Sequence, residues 1–166
     1  MSARDLFGVV RECVALTKGS ETALLVNDRA DVAITAGADG VHLTTQSIES
    51  KLLREVVPKN FLIAVSTHSR KEARDAAEGG ADFIVLGPVF DTPSKRDFGP
   101  PLGVEVIKTI TLEFPNTPVV ALGGVNINNF RDCLAAGAAG VAGIGLFSDP
   151  DRIGEFMRRF NDSRID

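Results

Sequence analysis

The sequence predicts an α/β fold in which a parallel sheet is built from strands joined by helical crossovers. Three observations predict it. Short apolar, β-branched runs alternate strictly with helically periodic segments along the 166 residues. One tight turn recurs between a helix end and the next strand: Ala36-Gly37-Ala38-Asp39-Gly40, Gly79-Gly80-Ala81-Asp82 and Ala136-Gly137-Ala138-Ala139-Gly140. Polar residues follow nearly every strand, as Asn27/Asp28, Thr44/Thr45, Ser66/His68, Thr92/Ser94/Lys95 and Gly123/Gly124.

The elements follow in order. Leu6, Val9, Val10 and Cys13 recur at helical spacing, so Ala3–Thr17 reads as an amphipathic helix that Lys18-Gly19-Ser20 ends. Thr22–Val26 is a strand, and Asp31–Ala36 a short helix closed by Gly37, which suits a left-handed cap. Gly40–Leu43 is the second strand. Ile48, Leu52, Leu53 and Val56 form one face of a helix that stops at Pro58, and Phe61–Val65 follows as a strand. Ser69-Arg70-Lys71-Glu72 has the capping-box form and starts a helix that Gly79-Gly80 ends. Phe83–Leu86 is an apolar run bounded by Gly87-Pro88, and it reads as a strand buried on both faces. Val104, Ile107 and Ile110 align on a helix, and Pro118–Leu122 is a strand entering Gly123-Gly124. Asn126 or Asn128 caps the helix of Phe130, Cys133 and Leu134; Val141–Ile144 is the last strand. Ile153, Phe156, Met157 and Phe160 mark the final helix. The total is six strands and about seven helices, in one domain over residues 1–166.

Composition narrows the function. Hydrophobic residues make up 44% and charged residues 24%, as in an ordinary globular protein. A net charge of −4 with no basic run argues against nucleic acid. No apolar stretch is long enough to span a bilayer and no charged-then-apolar leader opens the chain, which argues against a membrane partner. Cys13 and Cys133 lie far apart and read as buried thiols of a reducing cytoplasm rather than a disulfide or metal site.

The stretch Ala81–Lys95 carries the clearest chemical signal. Past the strand end stand Thr92, Ser94 and Lys95, with Arg96 beside them: two hydroxyls and two cations suited to an anion such as a phosphate ester. In parallel α/β folds that end of the strands is where ligands bind. An open sheet gathers its ligand groups at one switch point, whereas here every strand end contributes, as around a barrel rim. Glycines after the last two strands fit the phosphate site that barrels build there from bare backbone. Six strands nevertheless fall short of the eight that a closed barrel needs.

Taken together and in order, five segments make the chain resemble the thiamine phosphate synthase / thiazole tautomerase family, a (β/α)8 barrel family of thiamine biosynthesis. They are Val26-Asn27-Asp28-Arg29, Ala38–Leu43, Val65–Ser69, Gly87–Lys95 and Ala121–Val125. The resemblance implies an incomplete TIM barrel holding strands 3–8, N-terminally truncated. The family's first two strands and its pyrimidine-binding Gln-x-Arg-Glu-Lys stretch have no counterpart after Met1. It implies a transferase that joins hydroxymethylpyrimidine pyrophosphate to thiazole phosphate and releases pyrophosphate with Mg²⁺ assistance. Asn27, Ser66 and Lys95 would then hold the pyrophosphate, and Asp28 would face the Mg²⁺. Thr92 and Ser94 would lie beside the thiazole, whose phosphate the backbone at Gly123, Gly124, Ile144 and Gly145 would bind. Ser47 stands where synthases of the family place a second Mg²⁺-binding aspartate, so metal binding rests on Asp28 alone.

Two further readings stand beside the synthase. In the tautomerase branch the histidine matching His68 is the acid/base, a task suited to an imidazole titrating near neutrality. A non-catalytic, phosphate-binding member is the third, and the exposed sheet edges of a six-strand remnant would favour a homo-oligomer. His42 reads as a structural histidine, and Asp28 is equally able to pair with Arg29 or cap the next helix.

Overall fold

Ser2 starts the first helix through a capping box: its Oγ accepts from the Asp5 N–H (3.1 Å) and an Asp5 oxygen accepts from the Ser2 N–H (3.2 Å). In the computed structural model, which describes residues 1–93, 96 and 99–162, that helix is α1 (Ala3–Thr17). The chain divides into two compact units. One comprises Met1–Ser66 with Asp75–Phe83, the other Thr67–Arg74 with the chain from Ile84 onward.

The first unit holds β1 (Leu25–Asn27), α2 (Ala30–Ala36), β2 (Gly40–Leu43), α3 (Ser50–Arg54) and β3 (Leu62–Thr67) up to Ser66. It also holds the second half of α4 (Arg70–Glu78). β1, β2 and β3 pair in parallel, with Val26 opposite Val41 and Val41 opposite Ile63. Those three valines and isoleucines alternate inward with Leu43, and α1 and α2 cover them with Val10, Val32 and Ala33. The recurrent turn has a physical basis. Gly37 adopts φ 82°, and its N–H reaches back to Ala33 and Ile34, ending α2. Asp39 then takes the Leu24 N–H on its carboxylate (2.7 Å), and Asp82 takes the Ile63 N–H in the same way (2.7 Å). Arg54 closes the second copy by donating to the Phe61 carbonyl (2.8 Å), the Gly80 carbonyl (3.1 Å) and the Asp82 carboxylate.

The second unit holds β4 (Phe83–Leu86) from Ile84, α5 (Val104–Glu113), β5 (Val119–Leu122), α6 (Phe130–Ala135), β6 (Gly140–Ala142), α7 (Ile144–Phe147) and α8 (Pro150–Asp162). β4, β5 and β6 pair in parallel, Val85 opposite Val120 and Ala121 opposite Val141. Ile84, Leu86, Ile107, Ile110 and Val119 are fully buried. An aromatic cluster ties the last helices together: Phe130 meets Phe156 edge-on at 5.1 Å between ring centroids, and Phe156 meets Phe147 at 5.4 Å. Arg70 and Arg74 of the first α4 turns both pair with Glu113 at the end of α5 and hold its carboxyl below the usual range. Among the described residues no helix is long and apolar enough to cross a membrane.

Several elements depart from the periodicity. The first strand begins at Leu25 rather than Thr22, because the Ser20 hydroxyl accepts the Thr22 N–H (3.2 Å) and holds a turn there. α3 spans five residues, so Ile48 and Val56 lie outside it and are 54% and 77% exposed; Leu53 and Val57 are buried instead. The last strand ends at Ala142, and Ile144 opens a separate one-turn helix, making eight helices among the described residues. α6 has no side-chain cap; Asn126 instead accepts the Phe130 N–H on its backbone carbonyl (3.1 Å).

Replacing Phe130 by alanine removes the centre of the aromatic cluster. The expected cost is about 3–5 kcal/mol of unfolding free energy in urea titration, whereas Leu112→Ala, on a 75% exposed side chain, changes stability little.

Candidate functional site

Parallel register decides which side chains share a face. Asn27 lies opposite His42, and His42 opposite Ala64, so Ser66 falls on the face of Ala64 two residues on. Asn27, His42 and Ser66 therefore form a row across three adjacent strands near their C-terminal ends. Within it His42 Nε2 is 2.8 Å from Ser66 Oγ. Burial lowers the His42 pKa below the ordinary imidazole value, keeping the ring neutral at pH 7.

Asp28 follows Asn27 at φ 59°, a left-handed conformation that aspartate tolerates better than most residues, and its N–H donates to the His42 carbonyl (2.9 Å). Arg29 does not pair with it. Both guanidinium arms go to Asp31, at 2.7 and 2.6 Å, and hold the Asp31 carboxyl down to about 2. Nor does Asp28 cap α2, whose N-cap is Arg29 with no side-chain bond. Its carboxylate stands exposed with no ion pair to any described residue. Ser47 is engaged locally: its Oγ accepts the Thr44 N–H at 2.8 Å and lies 3.1 Å from Thr44 Oγ1. Among the described residues no three His, Cys, Asp or Glu side chains converge on a metal position. Asp28 therefore offers one exposed carboxylate, and a divalent ion held through it would depend on water for most of its coordination.

The second unit carries a cavity of about 780 Å³. Thr92, Gly123, Gly124, Ile144 and Gly145, all anticipated from the sequence, line it together. Asn126, Gly143, Glu155, Phe156 and Arg159 line it as well. Glu155 and Arg159 were hidden because periodicity in α8 reveals its apolar stripe, Phe156 included, and says nothing of what its polar side faces. Only the Glu155–Arg159 spacing, an (i, i+4) ion pair at 2.7 Å, was there to be read. The glycine pair after β5 is needed for packing. A Cβ on Gly123 would sit 2.6 Å from Pro88 Cα, and one on Gly124 2.6 Å from the Asp91 carbonyl oxygen. Asn126 and Asn129 fix the turn by donating to the Gly124 carbonyl at 3.2 and 3.0 Å. At Gly145 an added Cβ would meet nothing within 4 Å, so the open backbone lies there.

Ser94 and Lys95 lie outside the described residues. Arg96 is engaged by an exposed carboxylate of its own loop. It donates to both Asp91 oxygens, at 3.0 and 3.1 Å, which lowers the Asp91 pKa and raises its own. His68 is 45% exposed, with Nδ1 3.3 Å from Glu72, whose carboxylate also takes the His68 N–H at 2.7 Å. The capping box at Ser69 is thus half formed: Ser69 Oγ accepts the Glu72 N–H, while Glu72 serves His68.

Residues 1–147 match the family model described as thiamine monophosphate synthase. The chain belongs to the thiamine monophosphate synthase family. A putative thiamine-phosphate synthase of Geobacter sulfurreducens is 45% identical over 152 residues, 91% of this chain and 71% of that protein. The thiamine-phosphate synthase of Methanospirillum hungatei is 38% identical, over 99% of this chain and 79% of that one. Among solved structures, the thiamine phosphate pyrophosphorylase of Pyrococcus furiosus superposes with a TM-score of 0.82 at 31% identity, covering 96% of this chain and 77% of that one. The fold class is accordingly the α/β barrel type of this family, represented here by six parallel strands.

The buried, neutral His42 sets a pH dependence. Its folded pKa lies below the unfolded value, so the unfolded state binds the extra proton first. Stability should be full above about pH 6.5, fall as pH drops through that value, and level off below the folded pKa. Urea unfolding at a series of pH values should show this decline, reduced in His42→Gln.

Proposed function

We propose that this chain carries the transferase chemistry of its family, joining hydroxymethylpyrimidine pyrophosphate to thiazole phosphate with release of pyrophosphate. The observation that carries this reading is the cavity of the second unit, where a threonine and two glycine turns converge on about 780 Å³. Thr92 offers a hydroxyl beside the thiazole ring, and the open backbone at Ile144 and Gly145 offers N–H groups to its phosphate. The turn at Gly123 and Gly124 shapes the same wall.

On the first unit, Asn27 and Ser66 offer neutral donors to the pyrophosphate; the family resemblance, not the described structure, gives Lys95 the role of supplying charge. When the bond to the pyrimidine methylene breaks, its electron pair leaves with the pyrophosphate, so donors aimed at those oxygens stabilise the departing anion. Asp28 would hold Mg²⁺, which when bound neutralises charge on the same oxygens. The work is done in a reducing cytoplasm, in keeping with the two unpaired cysteines, and as a homo-oligomer.

A tautomerase reading has its own observation. Glu72 orients the exposed His68 ring, the arrangement of an acid/base imidazole with a carboxylate behind it.

A thiamine phosphate assay with both substrates tests the proposal. Product should form with stoichiometric pyrophosphate, and removal of Mg²⁺ or the change Asp28→Asn should lower the rate. Ser66→Ala and Lys95→Ala should each reduce kcat/KM by roughly tenfold or more. No thiamine phosphate, together with a Mg²⁺-independent proton shift on the thiazole phosphate alone that is lost in His68→Asn, would establish the tautomerase instead. Binding of thiazole phosphate with no turnover would leave a phosphate-binding protein.

A further inference from the structure

We propose that His42 is a positioning residue for the Ser66 hydroxyl, donating from Nε2 so that Ser66 keeps its own proton for an anion. The inference rests on the reading of the Asn27–His42–Ser66 face as the pyrophosphate site.

A serine hydroxyl has one proton and a freely turning rotor. On a half-buried strand end, a group that can accept that proton would take it away from a ligand. A group that can donate instead fills a lone pair of Oγ and leaves the proton pointing elsewhere. His42 Nε2 stands at 2.8 Å, within a full-strength hydrogen bond. Its position opposite Ala64 in the ladder lets the ring reach diagonally to Ser66 without leaving the sheet face. The backbone around it is fixed as well, since its carbonyl accepts the Asp28 N–H at 2.9 Å. With Nε2–H donating, the chain of donors runs imidazole to hydroxyl to anion, and each bond polarises the next. The arrangement adds no charge of its own, because the ring is neutral. It therefore orders a donor without competing with the cation that neutralises the anion.

Three substitutions and one spectrum decide it. Inorganic pyrophosphate with Mg²⁺ is the probe, and calorimetry reads its affinity. His42→Leu should weaken binding about fivefold to tenfold, the worth of one ordered hydrogen bond. His42→Gln places an amide near the Nε2 position and should restore affinity to within about twofold. Ser66→Ala should weaken binding at least as much, and the double change with His42→Leu should add nothing further. In the unmutated protein, the His42 ¹⁵N resonances should report a protonated Nε2 that shifts in Ser66→Ala. That spectrum decides the matter if His42→Leu fails to fold.

Undiminished affinity in His42→Leu, no rescue by glutamine, additive effects in the double change, or an unprotonated Nε2 would each overturn the proposal. These outcomes leave the pyrophosphate site itself standing. Absence of pyrophosphate binding to the unmutated protein would remove that site, and the inference with it.

Discussion

The register of the parallel strands is the constraint on which the rest depends, and two aspartates at strand entries hold it. Asp39 takes the first free N–H ahead of β1, and Asp82 takes that of Ile63 in β3. A parallel ladder slipped by one residue would turn each strand's inward side chains outward. Val41 and Ile63 would leave the core, and Asn27, His42 and Ser66 would no longer share a face. The fixed register therefore serves the core and the Asn27–His42–Ser66 row at once. The third copy of the turn has Ala139 in place of aspartate and relies on its backbone N–H to the Val119 carbonyl (2.8 Å) alone.

Charge is spent in two different ways in this chain. Five arginines pair with carboxylates of the fold: Arg54 with Asp82, Arg70 and Arg74 with Glu113, Arg29 with Asp31, Arg96 with Asp91. The exposed pairs among these contribute little stability each. Among the described residues, the groups proposed for an anion are hydroxyls, an asparagine and open backbone, with Arg159 on the cavity wall. Such a set binds phosphate groups by ordered dipoles, which makes the orientation of each hydroxyl matter. Membership of the thiamine monophosphate synthase family gives that chemistry its substrates.

Much of this was legible in the residues. Strand and helix alternation, the glycine turns and the convergence of Thr92, Gly123, Gly124, Ile144 and Gly145 all follow from pattern and resemblance. What was hidden depended on contacts between residues distant in sequence. His42 carries no carboxylate neighbour in the chain, and its partner Ser66 lies 24 residues on, brought close by parallel pairing. Arg96 stands beside the hydroxyls in sequence, and its pairing with Asp91, five residues earlier, shows only in the fold. The glycine pair after β5 reads as a phosphate cradle, yet the crowding at Pro88 and Asp91 shows that packing already requires it. Short elements also misled: a five-residue α3 cannot present the face that its apolar spacing suggests.

The proposed function calls for two anion sites, a row of donors on β1–β3 and a cavity floored by the turns after β5 and β6. Calorimetry with inorganic pyrophosphate and thiazole phosphate, each titrated with and without the other saturating, tests this most directly. Two independent sites predict one equivalent of each bound together, neither displacing the other. Competition for a single equivalent would contradict the account.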